Sequence, residues 1–133
     1  MSSETTTTEQ KKFTDTAGND LELSPDHLAT YEKLSKTHKK IHILKVPLED
    51  EKDDGSEVRH AVLFLKAMDR NSYAAISKMS AKDSLRGCEL LINTLHIGGD
   101  DKKLVTDDFE ALNAADFVCG SLMLPRRAQL KKN

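Results

Sequence analysis

The chain has 133 residues, enough for one domain with a real core, and 38% of them are hydrophobic against 32% charged. Twenty basic residues against 22 acidic ones leave a net charge of −2, which gives no overall pull toward nucleic acid or an anionic membrane surface. No apolar run approaches the roughly 20 residues needed to cross a bilayer, and the N-terminus lacks the apolar segment of a secretory leader, so a cytoplasmic protein is expected.

Residues 1–22 are Thr-rich, with Phe13 their only aromatic side chain, and so little apolar surface predicts a disordered arm. A single domain is expected over residues 23–130, followed by a basic tail at 131–133. The first organised signal is LSPDHLATYEKLSKTHKK. Ser24 suits a helix N-cap, Pro25 the first helical position and Asp26 the positive end of the helix dipole. With Leu28, Tyr31 and Leu34 as a narrow apolar stripe, a helix is predicted from about Pro25 to His38.

IHILKVPL is short and β-branched, and Pro47 fits only the end or edge of a strand. The acidic run that follows contains Gly55, able to take a positive φ, and EVRHAVLFLKAM returns to β-like composition. An antiparallel hairpin is therefore predicted, with strands at about 41–47 and 57–66. On its second strand Val58, Val62 and Phe64 share one face with His60, while Ala61, Leu63 and Leu65 lie on the other, so the second half of that strand is expected to be covered on both faces. Such a hairpin needs helices packed on it or a partner strand along its open edge.

Beyond Asp69 the spacing turns helical. Asp69 or Asn71 can cap SYAAISKM, where Tyr73, Ile76 and Met79 share a face. A second helix is predicted from Lys82 to about Ile97, with Leu85, Cys88, Leu91, Ile92 and Leu95 on one stripe, Ser80 or Asp83 near its start and Gly98–Gly99 as its stop. Thr106 is expected to open the helix TDDFEAL, and Asn113 to cap AADFVCGSLMLP, with Phe117, Leu122, Met123 and Leu124 on its apolar side and Pro125 ending it. The fold class is thus α+β: an N-terminal helix, an antiparallel hairpin, then a bundle of three to four helices.

Motifs for chemistry are missing from this pattern. The five histidines lack zinc-type spacing, although His42 and His60 could face each other across the hairpin. The run after Asp50 places Gly55 as a calcium loop would, yet Lys52 and Ala61 stand where acidic ligands are required, so a solvated turn is expected. GGDD has no following G-K-[ST] and reads as a helix stop and turn, and no nucleophile elbow occurs. Cys88 and Cys119 are expected to be buried apolar residues rather than a disulfide. Basic clusters at Lys36–Lys45 and Arg126–Lys132 are not interleaved with aromatics, and nucleic acid is not the expected partner. No catalytic residue, cofactor or metal is expected. The expected activity is protein binding, through Ile41, Ile43, Val62 and Phe64 of the hairpin and Leu91, Leu95, Phe117 and Leu122 of the helices.

The order of helix, KIHILKV strand, acidic turn, VLFLK strand, DRNSYAAI, a helix ending LHIGGDD and a final DDFEAL helix resembles small proteins of phage and prophage tail-gene regions in Bacteroidota, similar to tail assembly chaperones. The resemblance rests on the step Lys66-Ala67-Met68-Asp69 into a helix and the stop at Gly98–Asp100, and it spans about Leu23 to Leu130. It implies a non-enzymatic protein of the host cytoplasm that binds a tape-measure or tail-tube protein during assembly and is absent from the finished particle. A structural head or neck accessory of the virion, or a small nucleic-acid-binding regulator, are the alternatives, and a homo-oligomer is compatible with each.

Overall fold

The computed structural model describes residues 13–123. Over that span the chain is mixed helix and strand, with two small antiparallel sheets and five helices. In chain order these are β1 (Phe13–Thr14), β2 (Asp20–Leu21), α1 (Pro25–Leu34), β3 (Ile41–Pro47), β4 (His60–Lys66), α2 (Arg70–Lys82), α3 (Ser84–Leu95), β5 (His96–Gly99), α4 (Lys103–Thr106) and α5 (Phe109–Cys119), followed by a 3-10 turn, Gly120–Met123. The expectations for Leu124, Pro125, the basic cluster at Arg126–Lys132 and the tail fall outside the described residues, as do those for residues 1–12.

The helix starts are local chemistry. Ser24 Oγ accepts from the His27 amide at 3.2 Å, Asp69 Oδ1 from Ser72 at 2.7 Å and Asp83 Oδ1 from Arg86 at 3.2 Å, each satisfying an amide that the first turn leaves without a partner. The Ser72 amide also holds the Asp69 carboxyl below its ordinary range. Asp83 does two jobs: its own N–H donates to Met79 O at 2.9 Å, closing α2, while its side chain opens α3. One extended residue therefore joins two helices, and they cross closely at Gly87, where any Cβ would collide with Ser80 Oγ and Cα.

The β3–β4 hairpin has its first strand as expected and its second starting at His60 rather than Glu57, and it registers Ile43 on Phe64 and Leu44 on Leu63. Its period of two divides the core. Leu44, Val46, Ala61, Leu63 and Leu65 face the helical layer of Ile76, Leu91, Ile92, Leu95, Ala111 and Ala115. Ile43, Val62 and Phe64 face a second, smaller cluster containing Leu21, Tyr31 and Leu34. As expected, the second half of β4 is covered on both faces, and the buried run begins at Ala61.

Several expectations are corrected. The N-terminal arm is ordered from Phe13: β1 and β2 form a tiny hairpin whose turn is tied by Asp15 Oδ1 to the amides of Ala17 and Asn19. Phe13 packs edge-on to Tyr31 at 4.9 Å, and Tyr31 does the same to Phe64 at 5.7 Å, so the sheet supplies the apolar surface that the arm itself lacks. Helix α1 ends at Leu34, where Ser35 Oγ donates to Glu32 O and Thr37 Oγ1 to Leu34 O, which also accepts from the Thr37 and His38 amides. Helix α3 ends at Leu95 rather than Ile97, and His96–Gly99 becomes a third strand on β4. Gly99 sits at φ +88 with Val62 O only 2.5 Å from where a Cβ would be, a position that only glycine fits. Asn113 caps nothing: Asp108 accepts from Glu110 N at 3.1 Å, and one helix runs through Asn113 to Cys119.

Candidate functional site

The structure separates the eight residues expected to meet a partner. Ile43, Val62, Phe64, Leu91 and Leu95 are buried and build the two cores, and Ile41 is partly buried against the smaller one. Leu122 is half-buried against the larger core. Phe117 alone stands in solvent, 91% exposed. Its neighbour on the same side of α5, Phe109, is 68% exposed. The open hairpin edge is also reduced, since β5 takes one side of β4. On β3 the Thr16 amide donates to Ile43 O at 2.9 Å, Ser121 Oγ donates to Thr16 O at 2.9 Å, and Pro47 has no N–H to offer a further strand.

Helix α5 explains the exposed rings. Ala111, Ala115 and Cys119 recur every four residues and, with Leu112, are buried, so the side turned toward the core carries mostly small side chains and lets the helix lie close. Phe109, Asn113 and Phe117 recur with the same spacing on the exposed side. Phe117, Asn113, Ala114, Asp116 and Val118 meet Pro47 of β3 around a shallow depression of about 500 Å3. A smaller one beside it joins Pro47 to Leu48, Glu49, Asp50 and Glu110. The surface is thus an apolar centre of Phe117, Pro47 and Val118 with a rim of Glu49, Asp50, Glu110 and Asp116. Glu49 is itself tethered, accepting from the Arg59 amide at 2.8 Å, and that bond holds its carboxyl below the ordinary range.

A second polar constellation lies across the sheet. Asp100 Oδ2 accepts from the Val62 amide at 2.8 Å, Oδ1 lies 2.9 Å from His27 Nε2, and the Asp100 carbonyl lies 3.0 Å from His96 Nε2. Asp100 N also donates to Val62 O at 2.8 Å. With both carboxylate oxygens engaged, this aspartate ties α1 and the end of β5 to the central strand. The sequence reading of GGDD as a turn missed this role, because His27 is 73 residues away.

His42 and His60 do not face each other, since the register sets them opposite Leu65 and Pro47. Burial, aided by Lys40, pushes the His42 imidazole below its ordinary value. Cys88 and Cys119 are buried and unbridged, with their sulfurs 3.5 Å apart. Among the described residues no three or more His, Cys, Asp or Glu side chains converge as a metal site, and no helix is long and apolar enough to cross a membrane. No family model matches the chain, and neither a curated protein nor a solved structure matches it at a significant level.

Proposed function

We propose that the chain is a non-enzymatic protein-binding module, contacting its partner through the outer side of α5 and the end of β3. The exposed Phe117 ring beside Pro47 carries this reading. An aromatic left almost wholly in water next to further apolar surface is the feature expected of a docking site. The acidic rim of Glu49, Asp50, Glu110 and Asp116 favours a client segment whose apolar residues are flanked by Lys or Arg. The resemblance to tail assembly chaperones supports a tape-measure or tail-tube protein as that client, bound in the host cytoplasm.

Full burial of one phenylalanine contributes about 1.5–3 kcal/mol, or more than tenfold in affinity. Co-expression with a phage tape-measure protein, followed by pull-down at low salt, tests the reading. The expected result is a complex that Phe117→Asp abolishes while leaving the thermal melt unchanged. Absence of a complex at low salt, or equal capture by the variant, would overturn it.

A further inference from the structure

The chain has two cysteines, 31 positions apart in sequence, and the fold brings them together. Cys88 comes from the middle of α3 and Cys119 from the last position of α5, and each is 3% exposed. Their sulfurs, 3.5 Å apart, lie at the wall of a cavity of about 300 Å3 whose other walls include Ser80, Ser84, Asp116 and Met123.

We propose that Cys88 and Cys119 form a dithiol site that hydrogen peroxide converts to an intramolecular disulfide clamping α3 to α5. Two observations carry this beyond the presence of buried thiols. A disulfide requires the sulfurs to close from 3.5 Å to about 2.05 Å, and the cavity lined by both residues gives their side chains space in which to turn. The cavity, with its hydroxyl and carboxylate lining, also gives a small polar oxidant a place beside the thiols.

The chemistry balances in two steps. One thiol takes an oxygen from peroxide, giving a sulfenic acid and releasing water. The second sulfur attacks the first, the S–O bond breaks, and the hydroxyl leaves as a second water with the remaining thiol proton. Two thiols are oxidised by two electrons and one peroxide is reduced. The hydrogen bond that the Cys88 thiol donates to Cys119 and burial both push this thiol far up, so little thiolate is present and oxidation is slow.

The full chain treated with hydrogen peroxide tests this. Free thiols counted after denaturation are expected to fall from two to none, with a mass loss of two hydrogens and a Cys88–Cys119 cross-linked peptide within one chain, with no covalent link between chains. Closing a loop of this size is expected to raise the melting temperature by about 10 °C, reversibly on reduction. Two surviving thiols, oxygen retained on sulfur, or a bridge between two chains would each overturn the proposal.

Discussion

Replacing Asp100 by alanine removes the tie between α1, β4 and β5 at one point. The Val62 residue is 9% exposed, so its amide loses a 2.8 Å partner with little water to replace it, and an orphaned buried amide costs about 1–3 kcal/mol. The contact with His27 adds less: the two side chains are 22% and 31% exposed, so solvent screening limits the pair to about 0.5 kcal/mol. The expected loss is therefore about 2 kcal/mol, or roughly 8 °C in melting temperature for a chain of this size. Asp100→Asn keeps an oxygen that can accept from Val62 N and should lose about half as much. Urea titrations of both variants, alone and combined with His27→Ala, measure the two parts through a double-mutant cycle. An Asp100→Ala midpoint within about 0.5 kcal/mol of the parent chain, at equal slope, would refute the assignment of this aspartate as the tie.

Phe117→Ser is expected to leave stability within about 0.5 kcal/mol, whereas Phe64→Ala, at the fully buried ring, should cost about 3–5 kcal/mol, both read by thermal or urea unfolding. Gly55→Ala and Gly99→Ala both force alanine to a positive φ, costing about 1–2 kcal/mol. Open space surrounds Gly55, while Gly99 faces Val62 O, so the second variant should lose another 1–3 kcal/mol or so and show faster amide exchange along β5. For His42 the folded protein resists a proton that the unfolded chain accepts near pH 6.5, so stability falls as pH drops through that value toward the lower folded one. His42→Gln should flatten this part of the profile between pH 7.5 and 5.5, and an unchanged slope would assign it elsewhere.

What the sequence disclosed was governed by short-range chemistry. Ser24, Asp69 and Asp83 cap helices because their side chains reach amides three residues on, and the hairpin strands alternate because one backbone repeat alternates. Strand β5 was hidden because HIGG has no strand composition of its own, and Val62–Leu65 supply the pairing that makes it one. The β1–β2 hairpin was hidden for a similar reason, although D-T-A-G-N-D between Phe13 and Leu21 held its turn signal. The binding residues were the hardest to read. Ile43, Val62, Phe64, Leu91 and Leu95 lie on apolar stripes, and a stripe at structural period is the mark of a core whether or not a partner exists.

Helix α5 carries apolar residues on two sides, and residue size decides which side is inside. Ala111, Ala115 and Cys119 fit the close approach of the helix to the core. Turning the helix by half a revolution would bury Phe109 and Phe117 for about 1.5–3 kcal/mol each, but would drive two rings into space shaped for methyl and thiol groups. Overpacking costs about 1–3 kcal/mol per site even for added methylenes, and a ring exceeds an alanine side chain by six carbons, so the penalty outweighs the gain. The exposed aromatics are thus fixed by the packing of their small neighbours. Their hydrophobic free energy stays unused in the isolated chain, and a partner seated against Phe117 and Pro47 would recover it without any rearrangement of the fold.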